Sequence, residues 1–435
     1  MLVGATHILS DGLYLANYFI ERKVRTGVVV VPATVDGNVR HKGYIEAPIG
    51  FDTSSKIYSQ LVGNIMTDAA SAIKYWYFIR LMGRDPSHLV LETGLTTHPN
   101  HVVISEEAVA RGQTLSAIVS QIADLVCKRQ AVGKNFGTVI IPEGLLAHLP
   151  HYKQLLDELN AVFKRHADED PRKRGEFAQR LYEDGEFLKQ HLSPWSLVVF
   201  QMLPDFIQKQ MLLEREVHGS VQLSQIETER LLAYLVKEEL AKRAEYNIKK
   251  FSTVTHFFGY QGRCAFPSRY DCSLASTSGF VAGFLLKEGL TALAVTVRGT
   301  AQRNVDAWAV GGVPIVSMTQ PRADASYGPG YLVVRSEEVQ LGKEPFQKLS
   351  MKKGQWEGEL QDYYQNPGPV QYYGSNVKDS TTETLQEYEQ KRTGMLRDLR
   401  GLLATLREDA TFTDDPATLE AALSTLRATQ KVLER

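Results

Sequence analysis

The chain contains 435 residues, of which 49 are basic and 50 acidic, so its formal net charge is -1. A nearly neutral protein creates no extended positive field, which argues against nucleic acid and anionic membranes as partners. Any anionic ligand must therefore be bound by a local group of basic residues. The three cysteines, Cys127, Cys264 and Cys272, are too few and too unevenly spaced for a disulfide framework or a zinc site. No apolar run approaches the roughly 20 residues that span a bilayer, and the N-terminus lacks a signal-peptide pattern, so we expect a soluble cytoplasmic protein.

The first third of the chain alternates short β-branched runs with longer amphipathic segments. Such alternation predicts βαβ units and a mostly parallel sheet. Strands are expected at residues 28–31, 77–82, 101–104 and 137–141, and helices at residues 11–22, 56–74 and 114–129. Residues 2–4 look like the end of a strand already inside a sheet, so we expect upstream strands or a fused domain before them.

Residues 151–250 are rich in charge and have no β-branched run long enough for a central strand. Ser224 and Glu227 have the spacing of a capping box, which predicts that a helix begins there. The apolar stripe of that helix consists of Leu231, Leu232, Leu235 and Leu240. We interpret the segment as a helical insert that covers the body of the protein or forms an oligomer interface.

The α/β pattern resumes after residue 251. A helix is expected at residues 276–287, a strand at residues 292–297, and turns at the Gly- and Pro-rich residues 311–314 and 366–369. From about Thr381 the pattern predicts a helical tail, interrupted at residues 414–416, and its simplest role is packing or dimerisation. The apolar face of the tail consists of Leu396, Leu399, Leu403 and Leu406.

Asp36 is the most informative residue, because it follows a run of four valines at residues 28–31. Such a run predicts a buried parallel strand, so Asp36 is expected on the loop beyond the strand's carboxyl end, where open α/β sheets bind ligands. An Asp before Gly is also a common turn former, and that interpretation stays open. Three further polar segments stand at predicted strand ends, at residues 82–84, 142–144 and 260–263.

Phosphoryl transfer to a sugar hydroxyl needs a base at the hydroxyl, cations on the phosphates and a metal held by carboxylates. Asp36 is the candidate base, and Thr34 is placed to hydrogen-bond the same region. Arg84 and Arg263 are candidates to grip phosphate through bidentate guanidinium forks. The remaining candidates are Glu143 for sugar hydroxyls and the pair Lys74-Tyr75 for a second phosphate contact.

Longer motifs run through most of the chain. They are Gly50-Phe51-Asp52-Thr53, Lys74-Tyr75-Trp76-Tyr77-Phe78, the run 80–84 with Ser87-His88, Thr97-His98-Pro99-Asn100, Pro142-Glu143-Gly144, His218-Gly219, Ile226-Glu227-Thr228-Glu229, the run 256–263, Gly311-Gly312-Val313-Pro314 and the run 368–372. In kind and order these motifs resemble the long form of diphosphate-dependent phosphofructokinase. That family transfers a phosphoryl group from pyrophosphate to fructose 6-phosphate, in glycolysis or its reverse, and the resemblance extends from about Gly4 to Gly374.

The resemblance implies an α/β, phosphofructokinase-like fold with two doubly wound domains, parallel-rich sheets, an all-helical insert and a helical C-terminal tail. Residues 1–55 with 265–345 would form the donor-side domain, and residues 56–150 with 251–264 the fructose 6-phosphate side. Residues 151–250 would be the insert and residues 346–435 the C-terminal extension.

Carried over residue by residue, the resemblance makes Asp36 the proton acceptor, with Thr34 and Val35 at the substrate loop. Lys74 and Tyr75 match a pair that the family donates across a subunit interface, so we expect a homo-oligomer or a catalytic partner subunit or domain. The implied fructose 6-phosphate contacts are Met82, Gly83, Arg84, Glu143, Tyr260 and Arg263, with Gln261 and Gly262 completing that loop.

The donor half of the site departs from the family pattern. Where the family has Gly-Gly-Asp-Asp, this chain has Gly4-Ala5-Thr6-His7, and Asn38 stands in place of an Asp. The family's Mg²⁺ therefore lacks its expected ligands, and we predict no metal ligands in this chain. Two interpretations follow: a pyrophosphate-dependent phosphotransferase, or a non-catalytic, sugar-phosphate-binding regulatory subunit or domain of that enzyme. ATP is the less favoured donor.

Overall fold

The computed structural model describes residues 1–41, 43–165, 171–213, 221–302, 304–321, 331–370 and 382–386, and four single residues at 415, 420, 424 and 427. The chain divides into two compact units, Met1–Leu385 and Gln386–Arg435, and the strands and helices given below belong to the first of them. The leucine stripe of the predicted tail, the His218-Gly219 motif and the end of the motif at 368–372 lie outside the described residues.

Strands and helices alternate through most of the described chain. The strands are β1 (Leu2–Gly4), β2 (Val29–Pro32), β3 (Trp76–Leu81), β4 (His101–Val102), β5 (Gly137–Pro142), β6 (Thr253–Phe258), β7 (Leu293–Arg298), β8 (Ala309–Pro314), β9 (Thr319–Pro321) and β10 (Leu332–Val334). The helices are α1 (Thr6–Glu21), α2 (Phe51–Ala72), α3 (His88–Thr97), α4 (Ser105–Ala110), α5 (Leu115–Ala131), α6 (Leu145–His148), α7 (Pro150–Lys164), α8 (Pro171–Glu183), α9 (Gly185–Lys189), α10 (Pro194–Gln201), α11 (Asp205–Leu213), α12 (Thr228–Ala241), α13 (Tyr260–Arg263), α14 (Arg269–Lys287) and α15 (Glu344–Glu359).

One four-stranded sheet in the described chain has the order β1-β2-β7-β8, and its pairs are parallel except for β7 with β8. The valine run forms β2, in the interior of this sheet. Val30 packs with Leu9 and Leu13 of α1, whereas Val29 and Val31 pack on the opposite face, with α14. A strand that is apolar on both faces must be covered on both, and this explains why a run of valines rather than an alternating pattern stands here.

A second four-stranded sheet has the order β4-β5-β3-β6, with every pair parallel. Trp76 and Phe78 of β3 face α5 and the helices of the 151–250 segment, and Tyr77 and Ile79 face α2 and α3. Both sheets are thus covered by helices on both sides, and the expected α/β fold with parallel-rich sheets is confirmed.

The segment 151–250 is helical where the structure describes it, as predicted. Leu231, Leu232 and Leu240 of α12 are fully buried, and α12 contacts both α5 and β3. The insert therefore belongs to the same apolar core as one face of the second sheet. None of the helices in the described part of the chain has the length and apolarity that a membrane crossing requires.

Two local predictions were wrong. Residues 311–314 do not form a turn: they belong to β8, an edge strand antiparallel to β7. The glycines allow close packing there, since a Cβ on Gly312 would lie 3.0 Å from the side chain of Leu285. The capping box is also absent, because Ser224 lies in a separate 3-10 turn and α12 begins at Thr228, with no side-chain cap from Glu227.

Helices α1, α2 and α14 begin five to seven residues before their predicted starts. For α2 the reason is a cap that comes from a distant helix. The carboxylate of Asp271, in α14, accepts hydrogen bonds from the main-chain N–H groups of Gly50 and Thr53, at 2.8 Å each. This contact joins a helix of the first sheet to a helix of the second, and no local pattern could reveal it.

Candidate functional site

A cavity of about 630 Å³ opens where the carboxyl ends of β2, β3, β5 and β6 come together. Its volume is in the range of sites for small molecules. The residues that line it include seven of those predicted for the site: Val35, Asp36, Met82, Arg84, Glu143, Tyr260 and Arg263. The structure thus brings together four segments that are far apart in the chain.

Asp36 lies on the turn that follows β2. Its main-chain N–H donates to the hydroxyl of Thr34 at 3.2 Å, so Thr34 shapes the turn rather than lining the cavity. Gly37 has φ +71°, and a Cβ at this position would lie 2.7 Å from the ring of Phe51, so both the backbone and the packing require glycine. The turn therefore has a fixed shape that aims the carboxylate of Asp36 into the cavity.

The electrostatic environment of Asp36 is unusual for a carboxyl group. Burial raises the pKa of Asp36 to about 6, and the negative charges of Glu143 and Asp85 add to this rise, while Arg84 and the Thr34 hydroxyl oppose it. A carboxylate with this pKa is still ionised at neutral pH but accepts a proton more readily than an ordinary Asp.

The ends of β3 and β5 interlock beside Asp36. Gly83 has φ +137°, which favours glycine, and its N–H donates to one carboxylate oxygen of Glu143 at 2.9 Å. A Cβ on Gly144 would overlap the carbonyl oxygen of Arg84, so the two loops are in close contact. Glu143 is 2 % exposed, and its other oxygen, Oε1, has no hydrogen-bond partner among the described residues. That oxygen is available to a ligand hydroxyl.

The segment 260–263 forms the short helix α13 after β6. Tyr260 and Arg263 line the cavity, whereas Gln261 and Gly262 do not. The side chain of Gln261 accepts a hydrogen bond from the N–H of Gly259 at 2.9 Å, and a Cβ on Gly262 would lie 2.6 Å from the ring of Tyr58. These two residues set the shape of the loop that presents its neighbours.

Lys74 and Tyr75 lie at the opposite end of β3 from the cavity. The ammonium group of Lys74 is 5.2 Å from the centre of the Tyr75 ring. The six residues of β3 separate this pair from Met82, and six strand residues span about 20 Å. The pair therefore does not belong to the cavity of its own chain.

The residues predicted for the donor loop lie at the end of the first sheet. Gly4 ends β1 and Ala5 precedes α1, with Thr6 and His7 in the first turn of that helix. The described lining of the cavity contains none of them, nor does it contain Asn38. Asn38 is buried, its amide donates to the Ser336 hydroxyl at 3.0 Å, and its Oδ1 has no partner among the described residues.

The donor side offers poor ligands for Mg²⁺. Thr6, His7 and Asn38 present a hydroxyl, an imidazole and an amide where a hard cation favours carboxylate oxygens. Within the described ranges no three His, Cys, Asp or Glu side chains are grouped as metal ligands. These residues do not fit a magnesium site, and no step of a reaction is assigned to a metal in this chain.

Arg80 and the contribution of the insert were not predicted from the sequence. Arg80 interrupts the otherwise apolar strand β3, and this charge within a buried strand was the available signal. Arg80 lines the cavity, together with Gln210, Ser224 and Glu229 from the 151–250 segment. The insert therefore supplies part of the site and does more than cover the body.

A family profile described as Phosphofructokinase matches residues 10–286 of the chain. Over 377 residues the chain is 41% identical to a pyrophosphate--fructose 6-phosphate 1-phosphotransferase of Treponema pallidum (strain Nichols), a match that covers 86% of this chain and 64% of the relative. It is 38% identical over 388 residues to the beta subunit of that enzyme from Solanum tuberosum, covering 88% of this chain and 64% of the relative. It is also 38% identical over 440 residues to alpha subunit 2 from Arabidopsis thaliana, covering 100% of this chain and 68% of the relative.

The chain thus spans slightly less than two thirds of the length of the first two relatives. The match to the alpha subunit extends over the whole of this chain, while the matches to the bacterial enzyme and the beta subunit cover 86% and 88% of it.

Proposed function

The chain belongs to the phosphofructokinase family, and we propose that its cavity binds fructose 6-phosphate as the acceptor of a phosphoryl group from pyrophosphate. This is the activity that the names of the relatives state. The observation that supports it best is the partly buried carboxylate of Asp36, with a pKa of about 6, in one cavity with Arg84 and Arg263. A base and phosphate-binding cations in one small cavity are what transfer to a sugar phosphate requires.

In this proposal Asp36 takes the proton of the sugar's 1-hydroxyl as that oxygen forms its bond to phosphorus. The bond between this phosphorus and the bridging oxygen of pyrophosphate breaks, and inorganic phosphate leaves. Arg84 and Arg263 bind the 6-phosphate, and Met82 and Gly83 complete the loop that carries Arg84. Binding of the phosphate fixes the position of the 1-hydroxyl relative to Asp36. The unpartnered oxygen of Glu143 accepts a hydrogen bond from a sugar hydroxyl.

A second candidate function is a non-catalytic, fructose 6-phosphate-binding regulatory subunit or domain. The replacement of donor-side acids by Thr6, His7 and Asn38 favours it, and so does the match of the whole chain to a relative named as an alpha subunit. In this case the acceptor cavity is retained for binding alone. The loss of the Mg²⁺ ligands is part of this second proposal, because Mg²⁺ stabilises the developing charge on a transferring phosphoryl group.

The position of Lys74 and Tyr75, at the far end of β3, supports a further part of the proposal. We expect the pair to complete the site of a second subunit, supplied by another copy of this chain or by a catalytic partner. The relatives named as alpha and beta subunits are consistent with such a partner. All three cysteines are free thiols, which favours the cytoplasm as the location.

A coupled assay and a binding measurement on the same protein separate the two functions. Turnover of pyrophosphate and fructose 6-phosphate that is lost in Asp36→Ala supports the enzyme. Binding of fructose 6-phosphate by calorimetry without turnover supports the regulatory subunit. If the chain neither binds nor converts fructose 6-phosphate at millimolar concentration, both proposals are wrong. Asp157→Asn, which alters an exposed carboxylate on α7, is the control.

A further inference from the structure

The cavity has two walls of different chemical character. The wall formed by the strands and their ends carries the arginines of the cavity, Arg80, Arg84 and Arg263, together with Asp36. The other wall, here called the amide wall, comes from the helical insert. It carries the amides of Gln210, Gln222 and Gln225, together with Ser224 and the carboxylates of Glu227 and Glu229. A carboxamide both donates and accepts hydrogen bonds, so this wall matches the hydroxyl groups of a sugar better than it matches a phosphate.

Arg80 connects the two walls. It lies in β3, two residues before Met82, and is 2 % exposed. Its Nε forms an ion pair with Oε2 of Glu229 at 2.6 Å, and its Nη1 donates to the carbonyl oxygen of Ser224 at 3.1 Å. The guanidinium also stacks over the ring of Phe257, at 3.9 Å from its centre. The cation is therefore engaged on several sides by protein groups.

The segment that Arg80 holds is itself tied together. The Gln210 side chain is bonded to Glu227 twice. Its Nε2 donates to the Glu227 carboxylate at 2.9 Å, and its Oε1 accepts from the main-chain N–H of Glu227 at 3.0 Å. Glu229 follows in the first turn of α12. Arg80 therefore contacts the insert at Glu229 and Ser224, on either side of Glu227, which is itself bonded to Gln210 of α11.

We propose that Arg80 is a positioning residue for substrate specificity: through its contacts with Glu229 and Ser224 it holds the amide wall of the insert at the distance from which that wall binds the sugar part of the ligand. The phosphate part is bound by the strand-end arginines alone. This inference rests on the proposed function, because it assumes that the cavity takes a sugar phosphate.

The sugar part and the phosphate part of the ligand can be measured separately. Calorimetry with fructose 6-phosphate reports on both walls, and phosphorus NMR line broadening with inorganic phosphate reports on the arginine wall. In Glu229→Gln and Arg80→Met we expect the affinity for fructose 6-phosphate to fall about tenfold, with the affinity for inorganic phosphate changed less than about twofold. The double variant should lose little more than Arg80→Met alone, because both changes break one contact.

Arg243→Met is the matched control. Arg243 follows α12 and fastens it to α5 through Asp124 at 2.5 Å and Ser120 at 3.2 Å, but it does not line the cavity. If the insert mattered only for stability, Arg243→Met and Glu229→Gln would each lower the melting temperature and leave both affinities unchanged. We expect this result for Arg243→Met only.

The outcomes separate the inference from the proposed function. If the unmodified chain binds no fructose 6-phosphate, the proposed function and this inference are both overturned. If it binds, but Glu229→Gln and Arg80→Met leave the ratio of the two affinities unchanged, only the inference is overturned. Should Arg80→Met not fold, Glu229→Gln and Gln225→Ala, which removes an exposed amide of the same wall, decide the question by the same ratio.

Discussion

Replacing Asp36 by Asn tests whether the ionised form of this partly buried carboxyl group destabilises the folded protein as its surroundings indicate. Burial, Glu143 and Asp85 together raise the pKa of Asp36 from 3.8 to about 6. This difference is roughly two pKa units, each worth about 1.4 kcal/mol, so ionised Asp36 costs the folded state up to about 3 kcal/mol. We therefore expect Asp36→Asn to unfold with a free energy about 1–3 kcal/mol higher at neutral pH and to be catalytically inactive.

The pH dependence gives the sharper form of this prediction. Because the pKa of Asp36 is raised in the folded state, the folded protein binds more protons than the unfolded chain between about pH 4 and pH 6. The stability that Asp36 contributes therefore falls as the pH rises through this window. The gain in the free energy of unfolding of Asp36→Asn over the original protein should be near zero below about pH 4 and should reach its full value above about pH 6. Acids that do not interact with Asp36 titrate alike in both proteins and cancel in the difference.

Urea denaturation of both proteins across this pH range, followed by tryptophan fluorescence, measures the difference. Asp157→Asn is the control and should change the stability little at any pH, because the side chain is exposed. A difference between Asp36→Asn and the original protein that is absent at neutral pH, or that does not vary with pH, would refute the reasoning. Asp36 would then be a solvated turn residue and not a base with a raised pKa.

Three further predictions concern other parts of the protein. Arg84→Ala and Arg263→Ala should each weaken fructose 6-phosphate binding about ten- to a hundredfold in calorimetry, and unchanged affinity in both would mean that the phosphate lies elsewhere. Asp271→Ala removes the carboxylate that accepts hydrogen bonds from the N–H groups at the start of α2. It should lower the free energy of unfolding by about 2–4 kcal/mol in urea titrations. A loss below about 1 kcal/mol would contradict the role of Asp271 as a cap. The double variant Thr6→Asp with Asn38→Asp should gain Mg²⁺ binding by calorimetry, and a protein that still binds no Mg²⁺ would show that other groups are missing on the donor side.

The elements with strong local signals were predictable. A run of valines is compatible with a strand covered on both faces, and a polar residue after such a strand must lie at the ligand-binding edge of a parallel sheet. For this reason the turn of Asp36 was found from the sequence. The segments at 82–84, 142–144 and 260–263 were found in the same way, and the resemblance to the family gave their individual roles.

Features that depend on distant partners were decided only by the tertiary structure. The start of α2 is capped by Asp271, more than 200 residues away, and the buried Arg80 is paired with the insert, where its partner Ser224 is 144 residues away. The glycines at 311–312 form an edge strand because β7 and α14 supply its neighbours. Local periodicity in the sequence indicates which face of a helix or strand is apolar. It does not identify the residue that pairs with a buried charge or accepts a hydrogen bond from an unpaired N–H group, because that partner depends on how the layers pack.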